Sequence, residues 1–148
     1  MRSYQHIIEK ALELNCKISE IVILEEIMTT GVPREQLLER MRQNYLVMQD
    51  SVDQGMTGRW KSRSGLVGGD AALLDNYGRS GKSLLGDRMN QAAARAIAVA
   101  EVNAGMGRDV AAPTAGSCGV LPAVVLTVRD QLSAPEEKVI MSLFTSAG

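Results

Sequence analysis

Aromatic side chains are scarce: one Trp, three Tyr and one Phe make up 3% of 148 residues. That argues against the base-stacking platforms of single-strand binders. A formal net charge of −1 supplies no field toward nucleic acid or an acidic membrane. The two cysteines stand far apart without CxxC spacing, which excludes a disulfide scaffold. No run approaches the length of a membrane span, and no signal-peptide pattern opens the chain. A reduced, cytoplasmic protein is therefore expected. Alternating apolar and polar runs joined by hairpin turns are also missing, so no strand is expected. What remains is 45% hydrophobic and 22% charged, with eight methionines. With its many alanines, this composition suits one domain of closely packed helices with a real core.

The first half reads as a bundle opening. Tyr4 to Leu14 places Ile7, Ile8, Ala11 and Leu12 at helical spacing, and Asn15 to Lys17 is a break. Ser19 is the expected N-cap of a second helix that Gly31 closes. Pro33 opens a third, longer helix running to Gly55, and Arg34, Glu35, Glu39, Arg40 and Arg42 give it a solvated face. Glycine then recurs at 55, 58, 65, 68, 69, 78, 81 and 86. Arg59, Lys61, Arg63 and Lys82 bring positive charge to this stretch, best read as solvated. Gly65-Leu66-Val67-Gly68-Gly69-Asp70 is no nucleotide fingerprint, because no strand precedes it. A segment this long suggests function, with a short helix expected over Ala71 to Asn76.

An Ala-rich helix over about residues 87–106 carries Ala92, Ala93, Ala94, Ala96, Ile97, Ala98, Val99 and Ala100. Apolar nearly all round, it is expected at the centre of the fold. Glu101 and Asn103 are polar groups near its buried end, expected to fix the following loop by hydrogen bonds. The architecture predicted is all-α, a multi-helix bundle around this helix.

After it comes the stretch on which the chain turns, Ala111-Ala112-Pro113-Thr114-Ala115-Gly116-Ser117-Cys118-Gly119-Val120-Leu121-Pro122. Pro113 ends any helix arriving from the left. Gly116 and Gly119 bracket Ser117-Cys118, allowing a tight turn or a close approach. Pro122 is tolerated in the first turn of an apolar helix running to Leu132. Cys118 is thus expected at or just before a helix N-terminus, where backbone N–H groups and the helix dipole favour a thiolate. Such a group serves as nucleophile, redox group or metal ligand; the plain alternative is a small buried residue at a helix start. A thiol nucleophile lacks a paired imidazole, since His6, the one histidine, is remote in the first helix.

The run from Ala98 to Val124, with Glu101-Val102-Asn103-Ala104 and Pro113-Thr114-Ala115-Gly116-Ser117-Cys118-Gly119, resembles the signature block of iron–sulfur-dependent L-serine dehydratases. Lys17-Ile18-Ser19-Glu20 and Met48 to Gly58 are similar to the start of the same α domain, so the resemblance spans essentially the whole chain. The Ser-Cys-Gly variant looks like the two-subunit bacterial type. The resemblance implies the serine dehydratase alpha-domain fold and a lyase of amino-acid degradation, feeding gluconeogenesis. It implies conversion of L-serine to pyruvate and ammonia with a [4Fe–4S] cluster and no pyridoxal phosphate. It further implies a separate β subunit as partner and leaves room for a homo-oligomer. Cys118 occupies the position of one cluster ligand, and Thr114, Gly116 and Ser117 are the candidate substrate-binding residues. The catalytic base is unassigned.

Two departures qualify the match. The resemblance implies a cluster held by three cysteines, but the family's other two ligands come from a later Gly-Cys-Gln-type block and a nearby cysteine that this chain does not contain, and Cys16 matches no ligand motif. The β domain's Ser-Ser-His-Thr-type motif is absent as well. Residues 1–148 are therefore expected to be the N-terminal part of an alpha subunit, truncated and inactive alone. The competing reading is a non-catalytic helical interaction or scaffold domain of the same superfamily.

Overall fold

The computed structural model describes residues 4–112, 114 and 116–147. Among them are seven helices and no strand: α1 (Tyr4–Glu13), α2 (Ile18–Thr30), α3 (Arg34–Met56), α4 (Asp70–Arg79), α5 (Gly86–Ala104), α6 (Ser117–Leu132) and α7 (Glu136–Ala147). The fold is all-α, as the composition and periodicity indicate. The chain gathers into two compact units, Met1–Gln43 with Ala134–Gly148, and Asn44–Ser133. No helix among the described residues is long and apolar enough to cross a membrane.

In the first unit α2 packs on α7, and α1 packs on α2. Ile23, Leu37, Ile140 and Phe144 form the core, bordered by Val22, Ile27, Val32, Leu38, Met41 and Met141. Gly31 ends α2 in the left-handed region (φ 70°), its N–H reaching the Ile27 carbonyl at 2.8 Å. The start of α2 departs from expectation. Ser19 is not the cap but the second helical residue, and it is buried. The helix begins two residues sooner because the Lys17 carbonyl already accepts from the Glu20 and Ile21 N–H groups. Arg34 forks onto Glu20 at 2.6 and 2.9 Å, and Arg42 reaches Glu136 at 2.7 Å. His6 is exposed, 3.8 Å from the Glu25 carboxylate, to which Lys10 also donates at 3.1 Å.

In the second unit α5 packs against both α4 and α6. Here, beside buried side chains such as Val52, Val99, Val102 and Leu126, backbones also come close. A Cβ on Gly55 would stand 2.3 Å from the Ala98 carbonyl oxygen, and one on Gly119 would stand 3.0 Å from that of Ala96. Gly55 thus lies inside the last turn of α3 rather than ending it, and its lack of a side chain is what lets α5 approach. Gly78 leaves room for Asn90, which is buried. The Asn90 carboxamide donates to the Leu74 carbonyl at 2.7 Å and accepts from the Ser83 hydroxyl. The helix expected over 71–76 extends to Asp70–Arg79, since Asn90 and Gly78 hold its second half against α5.

Candidate functional site

The stretch before α6 folds by hydrogen bonds within itself. The Ser117 hydroxyl donates to the Thr114 carbonyl at 2.7 Å and accepts from the Thr114 N–H at 3.0 Å. The Thr114 hydroxyl donates to that of Ser117 at 3.0 Å and accepts from the Ser117 N–H at 3.3 Å. These two candidate substrate residues therefore close on each other and brace the start of the helix. Pro113 and Ala115 lie outside the described residues. α5 ends well before them, at Ala104, where Met106 takes a left-handed conformation (φ 65°) and Gly107 donates to the Val102 carbonyl at 2.8 Å.

α6 starts at Ser117, three residues sooner than the apolar run, so Cys118 sits within its first turn and Pro122 in its second. Pro122 has no N–H to give the Cys118 carbonyl, four residues back. The two glycines differ. Gly119 is buried and closely approached by α5, with its N–H directed at the Gly116 carbonyl at 3.3 Å. Gly116 is ordinary helical backbone (φ −72°, ψ −32°), and an added Cβ meets no described atom within 4 Å. The tight turn expected at Gly116 is there, closed by the Ser117 N–H on the Thr114 carbonyl at 3.0 Å, but in right-handed dihedrals that do not require a glycine.

The electrostatics of Cys118 also differ from expectation. Burial pushes its thiol above the usual cysteine range, and a hydrogen bond to the Asp109 carboxylate pushes it further. The N–H groups of Cys118 and Gly119 act the other way, as a helix N-terminus should, but they are outweighed. Within this chain burial and Asp109 thus disfavour the thiolate that a helix N-terminus would favour.

Cys118 opens onto a crevice of about 270 Å³ between α5 and α6. Its walls are Ala96, Ala100, Asn103 and Ala104 on one side and Gly116, Gly119 and Val120 on the other. Asn103 does fix the loop, but through its backbone carbonyl, which accepts from the Met106 N–H at 3.0 Å. Its exposed side chain is left to the crevice. Glu101 is 1% exposed and holds a different segment. Its Oε1 accepts from the N–H groups of Asp70 and Ala71 at 2.6 and 3.2 Å, supplying α4 with the cap that Gly69 cannot provide. Its Oε2 is buried without a hydrogen-bond partner among the described residues. Trp60 completes this corner, its ring lying where Cβ atoms on Gly105 and Gly107 would be.

Sequence reasoning missed Asp109 and the alanine wall. Asp109 was legible as the sole acid between Glu101 and Cys118. The wall was legible as the spacing of Ala96, Ala100 and Ala104, four residues apart on one face.

The family model described as "Serine dehydratase alpha chain" matches residues 13–148. The chain belongs to the serine dehydratase alpha-chain family. It is 40% identical over 145 residues to the "Probable L-serine dehydratase, alpha chain" of Bacillus subtilis, covering 98% of this chain and 48% of that one. It is 31% identical over 148 residues to the "L-serine dehydratase, alpha chain" of Peptoniphilus asaccharolyticus, covering 100% of this chain and 51% of that one. The chain thus spans about half the length of these relatives. The words "alpha chain" imply, for those enzymes, more than one chain. No solved structure matches.

A serine dehydratase cluster held by three thiolates does not fit the described residues taken by themselves. Among them no group of three His, Cys, Asp or Glu side chains could hold a metal ion. Cys16 stands in the turn between α1 and α2, in the other unit, where its N–H donates to the Ala11 carbonyl. The crevice offers Cys118, with Asp109 as the partner of its thiol.

Proposed function

We propose that residues 1–148 form part of an L-serine dehydratase (L-serine ammonia-lyase), and that the α5–α6 crevice is one wall of its active site. The reaction is the net conversion of L-serine to pyruvate and ammonia through loss of the α-proton and the β-hydroxyl. The observation that carries this reading is the placement of the family's signature cysteine. Cys118 stands in the first turn of α6, at a crevice smaller than the roughly 300–1,000 Å³ clefts that take drug-sized ligands. A small amino acid suits that size. Gly116 lines the crevice, and with Thr114 and Ser117, its neighbours in sequence, it makes up the proposed substrate contacts; the Asn103 carboxamide offers both a donor and an acceptor.

In this reading Cys118 is one ligand of a [4Fe–4S] cluster whose other ligands come from outside the described residues. Thiolate ligation would displace the thiol proton that Cys118 now shares with Asp109, so Asp109 would lose that donor. The chain needs a β subunit and the remainder of an alpha chain for turnover, so residues 1–148 alone are inactive. No pyridoxal phosphate is required.

A second reading has a specific observation behind it. Burial and Asp109 push the thiol up, and no group of three His, Cys, Asp or Glu side chains that could hold a metal ion occurs among the described residues. That arrangement also suits a non-catalytic helical interaction domain of the family. One experiment separates the two. Residues 1–148 replace the matching stretch of the Bacillus subtilis alpha chain, and the protein is reconstituted anaerobically with its β subunit, iron and sulfide. Iron-dependent pyruvate formation from L-serine supports the enzyme; a folded, soluble assembly with neither bound iron nor turnover supports the interaction domain.

A further inference from the structure

The outer surface of α6 is built like an interior. From Cys118 to Val128 the helix carries no charged side chain. A helix facing water on one side should carry polar groups there. Instead Val120, Val124, Val128 and Leu132 recur every four residues and are 55%, 50%, 45% and 72% exposed. That spacing puts them on one face. α5 continues the surface. Ala96, Ala100 and Ala104 line the crevice with Val120, and Met89, two turns before Ala96, is 60% exposed. The result is a shallow apolar trough, with alanines low on one flank and valines high on the other, ending at Cys118. Low side chains on one flank let a docked helix come close, and branched ones on the other give it surface to bury.

We infer that this trough seats an apolar-faced helix from the half of a serine dehydratase alpha chain that these 148 residues do not match. The relatives' length argues for that occupant. This chain accounts for 48% and 51% of the two alpha chains it resembles over its whole extent. The relatives thus carry about as much chain again, enough to supply such a helix. Position argues for it too: Val120 belongs both to the trough and to the Cys118 crevice, so a helix laid there closes the crevice from above. The inference rests on family membership and on the reading of the crevice as part of a larger site, but it requires neither cluster nor turnover.

The test joins residues 1–148 to the unmatched half of the Bacillus subtilis alpha chain and compares that protein with the 148-residue chain. Val128→Cys is introduced in both, and alkylation at position 128 is followed by mass spectrometry. The expected result is rapid labelling in the 148-residue chain and at least roughly tenfold protection in the joined protein. In parallel, Val124→Ser with Val128→Ser should leave the melting temperature of the 148-residue chain within about 1 °C and lower that of the joined protein by roughly 4 °C or more. Equal labelling in the two proteins, or equal thermal shifts, overturns the inference. So does a 148-residue chain that sediments as a dimer and is dissociated by the serine pair, which would put a second copy in the trough. Cys118→Ala in the joined protein should leave the protection at position 128 unchanged, so loss of iron binding and loss of docking are read separately.

Discussion

In the unit of residues 1–43 and 134–148, branched and aromatic side chains such as Ile23, Ile140 and Phe144 meet in a cluster. In residues 44–133 the helices touch through glycine and alanine, Gly55 on Ala98 and Gly119 on Ala96. The first kind of contact tolerates a change of shape, because side chains repack. The second does not, because a backbone carbonyl has nowhere to go. The difference bears on function, since the crevice and Cys118 belong to the unit held by backbone contact. There the position of a thiol relative to α5 is set by atoms that cannot relax by changing rotamer.

The sharpest way to break this comparison is one methyl group in each unit. Gly55→Ala places a Cβ 2.3 Å from the Ala98 oxygen and should cost about 3 kcal/mol or more, whereas Ile140→Leu should cost less than about 1.5 kcal/mol. Denaturant titration of both variants checks this, and equal losses would remove the distinction. Next in size is Glu101→Ala, which strips the cap from α4 and leaves two N–H groups unmet, for roughly 2–3 kcal/mol. Glu101→Gln keeps an acceptor oxygen and should recover most of that loss. Within α6, Gly119→Ala should destabilise by about 1–2 kcal/mol. Gly116→Ala, with open space and helical dihedrals, should be neutral or stabilise by up to about 1 kcal/mol.

The smallest effect is acidic pH. Hydrogen bonds from Arg34 hold the Glu20 carboxyl below its usual range. Burial pushes the Asp130 carboxyl up, but hydrogen bonds from Arg95 and Arg129 outweigh it and hold that carboxyl low as well. Carboxyls depressed in the folded state contribute stability that is fully present above their unfolded pKa of about 4 and is lost as pH falls through the folded value. Melting temperature should therefore fall below about pH 4. Glu20→Gln and Asp130→Asn should each flatten that fall, one for each unit.

The helices were legible because their apolar spacing is long and their glycines stand at real ends, as at Gly31. Glycines whose work is to admit another backbone could not be told from glycines that end helices, so Gly55 was misplaced. The Ser19 cap failed because a carbonyl two residues earlier suffices to start α2. At the site, the apolar run puts Cys118 at or just before a helix N-terminus, and α6 takes it into the first turn by starting at Ser117. The upward push on its thiol is not legible, because Asp109 can be seen as the sole acid between Glu101 and Cys118 but its contact with the sulfur and the burial at α5–α6 are tertiary facts. Glu101 was rightly read as a fixing group, but its partner is the start of α4, thirty residues upstream, which no local pattern indicates.

The measurement that bears most directly on the account is made on the reconstituted alpha–beta enzyme carrying residues 1–148, comparing wild type with Cys118→Ala. Visible cluster absorption and pyruvate formation from L-serine are read on the same samples, with circular dichroism to confirm that both fold. The account predicts that the substitution abolishes absorption and turnover together while helicity is kept. A folded variant that retains cluster and turnover would show that Cys118 is only packing between α5 and α6, and would contradict the assignment of this crevice to the active site.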